Sequence, residues 1–392
     1  MEGIDVLKPH YIDIATHSIN KHGEELCGDK VEILKSDKRT IVVLADGLGS
    51  GVKANILATL TTKIMITMLE NGADLKETIQ TITDTLPICN VRKIGYSTFS
   101  ILDIDDALNA RIIEYDNPPA FIIRGKKLFY PEKKCFVSSD KKIWVTELKL
   151  ELDDEIILCS DGVIHAGVGV MLNHGWEWPH VAAFIEEQNI LSSDKLNRRL
   201  IETCNKLYDG KPGDDATVVT MCVRMPAITQ ILTGPPDLKS KDAITVQNFV
   251  SKSGKKVICG GTAANIVSRE LGIDIVTEIE YIDPFVPPTA KIKGIDLVTE
   301  GVLTLKMALT KLQSINSSCD EPIFNKMDGV SRLLKIFLED STHIHFWVGR
   351  AINPAHQNPG FPKDLSIKIN IIREIEKELT KMGKFVQIFY TD

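Results

Sequence analysis

Two segments of the 392-residue chain share one pattern, an apolar run that ends in an aspartate followed directly by a glycine. IVVLADG ends with Asp46 and Gly47, and EIILCSDG ends with Asp161 and Gly162. A carboxylate at the end of a buried strand is held rigidly, and the glycine lets the backbone carbonyl approach whatever lies there. Such oxygen ligands suit hard cations such as Mg²⁺ and Mn²⁺. The pattern therefore suggests a metal site, although a strand-end aspartate alone more often caps a helix or starts a turn.

Three further aspartates lie where predicted strands begin. Asp29 stands in CGDKVEIL just before one strand, and Asp214 and Asp215 open another in KPGDDATVVT. Strand ends in one sandwich of sheets can meet at one edge, so these carboxylates could share a pocket. Carboxylates held that close repel each other strongly at neutral pH. Two divalent cations would relieve the repulsion, and two fit the number of carboxylates better than one.

The elements that must position these aspartates follow from the spacing of apolar residues. Strands are predicted in three stretches, 11–45, 97–161 and 216–224. Helices are predicted in three others, 52–69, 74–86 and 178–208. Because short turns join successive strands, their pairing should be antiparallel. Residues 1–224 are therefore predicted to form an α+β domain, with strands packed as sheets and helices outside them.

Composition and charge exclude several classes of protein. The net charge of −7, from 46 basic and 53 acidic residues, gives no reason to expect nucleic-acid binding. No apolar run approaches the roughly 18 residues of a membrane span, and the N-terminus MEGIDVLKPH lacks the features of a secretory signal. The eight cysteines form no CxxC pair, which is typical of reduced thiols in a cytoplasmic protein.

A stretch rich in proline and charge at 225–242 predicts a linker, and the alternation of strands and helices beyond it predicts a smaller α/β domain over 243–392. There, VICGGTAAN indicates a strand, a glycine turn and a helix start at which an anion could bind. The candidate ligand-binding residues are Gly260, Gly261 and Thr262. A tight turn without a ligand is an equal alternative, because the Walker and GxGxxG patterns are absent. His343 and His345 share one face of a strand, where packing is favoured over metal binding.

The order of motifs in residues 5–224 resembles that of the metal-dependent protein phosphatases of type 2C. The motifs are CGDK, DGLGSG with a following helix, YSTFSILDID, the NPPAFIIRG turn, SDGV and GDDATVV. The resemblance is closer to the bacterial branch typified by the sporulation stage II phosphatase and the stress-response phosphatases. It implies a β-sandwich of two antiparallel sheets flanked by helices, with two Mn²⁺ or Mg²⁺ ions as cofactors.

The same resemblance implies a role for the aspartates of the pattern. Asp46 would bridge the two ions, and the carbonyl of Gly47 would complete the second ion's site. Asp161 and Asp214 would hold the first ion, and Asp29 would stand beside the ions, directly or through water. Asp46, Asp161 and Asp214 are thus the expected catalytic residues.

The implied reaction is hydrolysis of phosphoserine or phosphothreonine by a metal-bridging hydroxide, without a phospho-enzyme. The implied substrate is a phosphorylated bacterial regulatory protein, similar to an anti-sigma-factor antagonist. A small-molecule phosphatase is one alternative. Another is a regulated scaffold or ligand-sensing module with a weakly active phosphatase fold. Residues 243–392 are expected to form a sensory or docking domain that couples a ligand or partner to the phosphatase, and self-association as a homodimer is left open.

Four positions qualify the resemblance. Asp215 is the less favoured ligand of its pair, since the metal aspartate of the motif is the first of the two. Leu48 replaces a histidine that many eukaryotic members use to protonate the leaving group. His165 is one candidate substitute, although a plain position in the following loop or helix is favoured. The segment 167–184, with two tryptophans and two histidines, is interpreted either as a flap that selects substrate or as a core helix with an irregular start.

Overall fold

The computed structural model describes residues 9–36, 38–85, 97–138, 141–188, 192–277, 286–315, 328–351 and 364–391. The chain divides into two compact units. The first unit is Ile12–Arg224, and the second unit is Met225–Asp392 together with the N-terminal residues up to Tyr11.

The first unit contains strands and helices in the order that the apolar pattern predicts. The strands are β1 (Tyr11–Ile19), β2 (Asp29–Lys35), β3 (Arg39–Gly47), β4 (Ser97–Asp105), β5 (Asn109–Tyr115), β6 (Phe121–Arg124), β7 (Lys127–Leu128), β8 (Lys133–Ser138), β9 (Lys141–Lys149), β10 (Glu155–Cys159) and β11 (Ala216–Arg224). The helices are α1 (Gly51–Glu70), α2 (Leu75–Thr85), α3 (Asp161–Ile164), α4 (Trp178–Gln188) and α5 (Ser193–Leu207). The single stretch predicted over 178–208 is thus described as two helices, with residues 189–191 outside the described part.

Two sheets form the layers of this unit. One has six strands in the order β2-β3-β4-β5-β9-β8, and the other has five in the order β1-β11-β10-β6-β7. Consecutive strands such as β2 with β3, β3 with β4 and β4 with β5 pair antiparallel, as do β10 with β11. The prediction of an α+β fold with antiparallel sheets and helices is therefore confirmed.

The middle of strand β3, from Ile41 to Ala45, is an unbroken apolar run because both faces of the strand are buried there. Val42 and Leu44 belong to the hydrophobic cluster between the two sheets. Ile41 and Val43 point the other way, into the cluster under α1 and α2. Successive side chains of a strand alternate between its faces, so a strand covered on both sides needs an unbroken apolar run. This packing fixes the direction in which β3 delivers Asp46.

Helix α1 has the length and composition of a membrane-crossing helix, with a mean hydropathy of 1.2 over its most apolar 18-residue window. The core helix of a globular domain can have the same length and mean hydropathy, and 33% of this 18-residue window is buried. Ala58, Met65 and Leu69 of α1 pack in the cluster on the six-stranded sheet. The sequence analysis expects no apolar stretch as long as a membrane span, and α1 does reach that length. It nevertheless packs as a helix that covers a sheet.

The second unit also alternates strands with helices. Its strands are β12 (Ile228–Thr233), β13 (Lys255–Cys259), β14 (Val276–Thr277), β15 (Ala290–Lys291), β16 (Leu297–Thr299), β17 (His343–Gly349) and β18 (Phe385–Thr391). Its helices are α6 (Asp242–Ser251), α7 (Gly261–Leu271), α8 (Val302–Ile315), α9 (Gly329–Lys335) and α10 (Asp364–Lys381). A 3₁₀ turn at Lys239–Lys241 precedes α6, and one π turn at Ile336–Asp340 follows α9.

One mixed sheet in the order β14-β15-β16-β13-β12-β17-β18 forms the centre of this unit. The five strands from β16 to β18 run parallel. Helices α6 and α7 pack on one face of the sheet, and α8, α9 and α10 pack on the other. Helices on both faces of a parallel sheet are the arrangement that alternating elements form.

The stretch 225–242, which the sequence favours as a linker, contains the central strand β12. Its turn signals lie on either side of this strand, at Pro226 and at Gly234-Pro235-Pro236. Between these turn signals, ITQILT forms a strand that pairs in parallel with β13 and β17 and is almost entirely buried. Proline and glycine therefore mark the ends of a short strand here.

Glu155 at the start of β10 should make stability depend on pH. Burial, and then the charge of Asp153, raise the pKa of Glu155 from 4.5 to about 7. The native state then holds this proton more tightly than the unfolded chain, so the free energy of unfolding falls as pH rises from about 4.5 to about 7. We expect Glu155→Gln to remove a fall on the order of 2 kcal/mol, measured by urea unfolding at both ends of this range. The exposed Glu132→Gln is the control, and an unchanged pH slope in Glu155→Gln would contradict the prediction.

Candidate active site

Asp29 and Asp46 face each other at one edge of the six-stranded sheet. They are direct partners in the antiparallel register of β2 and β3, which places their Cβ atoms about 5 Å apart on the same face. The hydroxyl of Ser97, at the start of β4, donates a 2.9 Å hydrogen bond to the carbonyl of Asp46. The end of β3 is therefore tied to both neighbouring strands.

Asp161, Asp214 and Asp215 lie together at the corresponding edge of the other sheet. Asp161 begins α3 just after β10, and the aspartate pair lies just before β11, the antiparallel neighbour of β10. Two hydrogen bonds tie these segments together. The amide of Ser160 donates to the carbonyl of Thr217, and the amide of Thr217 donates to Ser160 Oγ at 2.9 Å.

The two edges meet, so that five carboxylates act on one another. The pKa of Asp46 rises from 3.8 to about 9, first because of burial and then because of the charges of Asp29, Asp161, Asp214 and Asp215. Burial and the charge of Asp161 also raise the pKa of Asp214. These pKa shifts arise because carboxylates from distant parts of the sequence lie close together, as the sequence pattern suggests.

Contacts around Gly28 show the same meeting of the two edges. A Cβ added to Gly28 would lie 2.9 Å from Asp215 Oδ2 and 2.9 Å from the Cβ of Ala54 in α1. The other oxygen of Asp215 accepts a 3.0 Å hydrogen bond from the amide of Lys21. Asp215 is thus held by backbone groups that precede Asp29.

Asp29 is the most unusual carboxylate of the group. Only 4% of it is exposed, and neither of its oxygens has a hydrogen-bond partner among the described residues. Burial first, and then the charges of Asp215 and Asp161, raise its pKa to about 7. The nearby hydroxyls of Ser160 and Thr217 act in the opposite direction, although neither is placed to form a hydrogen bond with it. A buried carboxylate without donors is costly, and a cation would offset that cost.

The residues present suit a hard divalent cation, although no finished ligand cage stands in the described part of the chain. No group of three or more His, Cys, Asp or Glu side chains there has metal-binding geometry. The donors are carboxylates with raised pKa values, and repulsion keeps such groups apart until a cation screens them. Burial and the charges of Asp29 and Asp215 raise the pKa of Cys27, so this neighbouring thiol stays neutral. An all-oxygen set of this kind fits Mg²⁺ or Mn²⁺.

The glycine of each aspartate–glycine pair is required for backbone packing. A Cβ on Gly47 would collide with the carbonyl oxygen of Ala54 in α1. A Cβ on Gly162 would collide with the carbonyl oxygen of Asp215. The phenol of Tyr208 also donates a 2.7 Å hydrogen bond to the carbonyl of Gly162. These glycines therefore let α1 and the start of β11 approach the two aspartate turns, a reason that the sequence argument did not include.

Leu48 and His165, the two positions discussed in connection with the missing histidine, show no contact within the described part of the chain that suggests a catalytic role. His165 is exposed, and its amide donates a 2.9 Å hydrogen bond to the carbonyl of Asp161 at the end of α3. Leu48 follows Gly47 and is partly buried. The favoured interpretation of His165 as part of the turn after a short helix agrees with this placement, and a role as the leaving-group acid gains no support.

Segment 167–184 is part loop and part helix. Trp176 packs against Phe184 with 5.1 Å between ring centroids, and Trp178 stacks on Phe121 at 4.6 Å. Both tryptophans are therefore packing residues. The interpretation as a flap therefore applies only to the turns at 167–172. Three apolar side chains are exposed there: Val168, Val170 and Met171.

In the second unit, Gly260 joins β13 to α7, and Gly261 and Thr262 are the first residues of that helix. Helix α7 has no side-chain N-cap, and a Cβ on Gly261 would meet nothing within 4 Å. His343 and His345 of β17 pack against aromatic rings, His343 against Phe385 and His345 against Phe389. Burial lowers the pKa of His345, in keeping with the favoured packing role.

Several residues around the aspartates gave no signal in the sequence. The amide of Lys21, the hydroxyl of Ser160 and the phenol of Tyr208 each hold part of the site. Their positions depend on contacts between distant segments. Only CGDK could have drawn attention to Cys27, through its place two residues before Asp29.

Antiparallel sheets flanked by helices, with aspartates gathered at their ends, define a domain of the type 2C phosphatase class. The sequence model of the Stage II sporulation protein E (SpoIIE) family matches residues 36–224. This match covers slightly less than half of the chain, and these residues are similar to the bacterial type 2C phosphatases of the sporulation and stress-response branch.

Two curated relatives share parts of this domain. Stage II sporulation protein E of Bacillus subtilis (strain 168) is 26% identical over 207 residues, which are 51% of this chain and 24% of the relative. The phosphoserine phosphatase RsbX of Bacillus subtilis (strain 168) is 40% identical over 52 residues, which are 13% of this chain and 26% of RsbX. The chain thus matches about a quarter of the length of each.

Two solved structures were also compared. The SpoIIE phosphatase domain of Bacillus subtilis with a fragment of its regulatory domain has a TM-score of 0.49 and 22% identity, covering 56% of this chain and 66% of that chain. RsbX in complex with magnesium has a TM-score of 0.39 and 19% identity, covering 54% of this chain and 95% of that chain.

Proposed function

We propose that this chain is a metal-dependent serine/threonine phosphatase that hydrolyses a phosphoserine or phosphothreonine on a bacterial regulatory protein. The carrying observation is the gathering of five carboxylates, among which buried Asp29 lacks any hydrogen-bond donor in the described residues. The family match over residues 36–224 supports the same activity. The proposed cofactors are two Mn²⁺ or Mg²⁺ ions.

The proposal gives each residue a role toward the ions. Asp46 would be a ligand of both ions, the Gly47 carbonyl would be a ligand of the second ion, and Asp161 and Asp214 would be ligands of the first. Asp29, opposite Asp46 in the sheet register, would lie beside the ions. Asp214 is proposed over its neighbour because it is the first aspartate of the motif and is partly exposed, whereas Asp215 is buried; each of the two accepts one 3.0 Å hydrogen bond from a backbone amide.

The bound ions would supply Lewis acidity at the phosphoryl group and a water of lowered pKa. The chain's own residues position and hold the charges. Asp29 and Asp46 are fixed by neighbouring strands, and Ser97 holds the backbone of Asp46 at the strand end. Rigid carboxylates of this kind need no rearrangement during the reaction.

The exposure of the site favours a phosphoryl group carried by a protein. Asp46, Asp161 and Asp214 are each partly exposed, whereas Asp29 is buried. A shallow site can receive a phosphorylated side chain from a protein surface, while a metabolite is usually enclosed. This observation favours a phosphoprotein substrate, similar to an anti-sigma-factor antagonist, over a small-molecule phosphatase.

An exposed apolar stripe on α1 supports a further protein contact. Val52, Ile56 and Leu60 are 61%, 51% and 48% exposed and recur every four residues, on one face of the helix. We assign this stripe to a regulatory partner or to a second copy in a homodimer. The chain is proposed to act in the cytoplasm, with residues 243–392 in a sensory or docking role and Gly260, Gly261 and Thr262 at a ligand site.

Metal dependence tests the proposed activity. We expect the chain to hydrolyse p-nitrophenyl phosphate and a phosphoserine peptide with Mn²⁺ or Mg²⁺, and to lose turnover in EDTA. Binding to the native state alone should raise the free energy of unfolding by about 2.7 kcal/mol at 100 times Kd. A thermal scan with and without metal measures this second effect.

The outcomes separate the alternatives. Turnover on free sugar phosphates but not on the peptide would favour the small-molecule phosphatase. Thermal stabilisation by metal without turnover would favour the regulated scaffold. Absence of both effects would contradict a metal centre at these aspartates.

A further inference from the structure

The parallel sheet of the second unit reverses its winding at β12. From this first strand the chain builds β13 and then β16 on one side, and returns to build β17 and then β18 on the other. Helices α6 and α7 cover one face and α8, α9 and α10 the other, as this reversal requires. In sheets of this kind, ligands bind outside the carboxyl ends of the strands at the point of reversal. Here that point lies between β12 and β17.

Glycines line the carboxyl edge at this point. Val348, Thr233 and Cys259 are in register across β17, β12 and β13. The next residue of each strand is glycine: Gly349, Gly234 and Gly260. Neighbouring strands lie about 4.8 Å apart, so these glycines form a short row without side chains. Beside Gly260 a ligand can approach the backbone closely, whereas the backbone of Pro235 already fills the Cβ position of Gly349.

Lys368 of α10 places its ammonium over this row. Its Nζ donates a 2.7 Å hydrogen bond to the carbonyl of Gly349, and a Cβ on Gly234 would collide with Nζ. Only 8% of Lys368 is exposed, and burial lowers its pKa to about 8. Within the described residues no carboxylate forms an ion pair with it. A buried cation with one hydrogen bond and no counter-charge among the described side chains is unfavourable, and an anion would offset this cost.

Two helix starts at the same edge add polar groups. The first turn of α7 has no side-chain cap, and the space beside Gly261 is open. Unpaired amides at the start of α7 favour an anion, whereas at the start of α8 the amides of Leu303 and Thr304 already donate to the carboxylate of Glu300. In the first turn of α8, the Thr304 hydroxyl is buried without a hydrogen-bond partner in the described part of the chain. Gly301, just before α8, packs against Gly260, since a Cβ on Gly260 would lie 3.8 Å from the Gly301 Cα.

We propose that the second unit binds a small phosphate-bearing ligand at this edge, through the Lys368 ammonium and the amides at the start of α7. A phosphate dianion offsets the buried positive charge and accepts hydrogen bonds from both groups. Free phosphate and the phosphate of a nucleotide share this chemistry. The site involves none of the aspartates of the first unit, and it does not rest on the proposed phosphatase activity.

Calorimetric titration of the full chain in EDTA tests this site without divalent metal at the aspartates. The probes are inorganic phosphate, ATP and adenosine at millimolar concentration. We expect phosphate or ATP to bind at one site and adenosine to give no signal. Tighter binding of ATP would identify a nucleotide, and equal binding would identify the phosphate group alone. Failure of both phosphate probes would overturn the proposal.

Three variants locate the binding. Lys368→Met keeps the length of the side chain and should weaken binding at least tenfold. Lys377→Met is the matched control, since Lys377 lies on the same helix, 63% exposed and paired with Glu374. Gly261→Ala adds a methyl group to open space and should weaken binding with the fold intact. It decides the question if Lys368→Met does not fold, and unchanged binding in the folded variants would overturn the assignment.

Discussion

Asp46→Asn is expected to lower metal-dependent turnover by at least about 10²-fold, while the first unit stays folded. Asparagine keeps the shape of the side chain and removes the charge that faces both sheets. The position is central because Asp46 responds to all four other aspartates of the site. Steady-state kinetics with Mn²⁺ and p-nitrophenyl phosphate measure the loss.

Stability gives a second readout for the same variant. The pKa of Asp46 is raised from 3.8 to about 9 by burial and by its acidic neighbours. Without metal, the native state therefore holds this proton more tightly than the unfolded chain, and stability falls as pH rises between these two values. We expect Asp46→Asn in EDTA to be more stable than the parent at pH 8, and to gain little from added metal.

A matched variant separates charge at the site from charge elsewhere. Asp106→Asn changes an exposed aspartate in the turn after β4, at the end of that strand opposite to the one that pairs with Asp46. It should retain parental turnover and metal response. Retained turnover in Asp46→Asn would show that the metal assignment is wrong.

Gly162→Ala is expected to reduce both activity and stability. The added Cβ would collide with the carbonyl oxygen of Asp215, which is backbone and cannot rotate away. Relief of the collision must move Asp161 and the Asp214 turn apart. Overpacking of this kind costs about 1–3 kcal/mol, and displaced ligands should lower turnover more than tenfold. Urea unfolding and metal-dependent kinetics on the same preparation measure the two effects.

Gly213→Ala is the control for this substitution. It lies next to Asp214, yet its Cβ would meet only the ring of Tyr208 at 3.6 Å, an ordinary contact distance. We expect near-parental behaviour from this variant. Equal losses in both variants would mean that any added side chain near the aspartates is harmful, and would contradict the specific collision at Gly162.

The fold of the first unit was largely predictable because its signals are local. The unbroken apolar run of β3 reflects burial of both faces, and the short turns between strands indicate antiparallel pairs. Helix α1 follows from apolar residues at helical spacing, and it ends within one residue of the predicted bounds. Strand-end aspartates could be identified for the same reason, since each ends or begins a recognisable run.

The remaining features depend on contacts between distant segments. Nothing in the sequence around Asp29 indicates that its oxygens lack donors, because that follows from how two sheets meet. In the sequence, Lys368 occupies an ordinary position of an amphipathic helix. Only the strand order shows that it lies at the carboxyl edge of the sheet. The strand β12 was hidden by flanking prolines, whose turn signals are local while its burial comes from β13 and β17.

The absence of hydrogen bonds to buried Asp29 among the described residues also bears on how long the chain survives in a cell. Where divalent ions are scarce, the ion-free state keeps a buried carboxylate without compensation, and the balance moves toward open forms of the chain. Proteases cleave those open forms in proportion to their population. Under the proposed function, metal supply therefore governs abundance as well as rate, and starvation for the ion would deplete the protein itself.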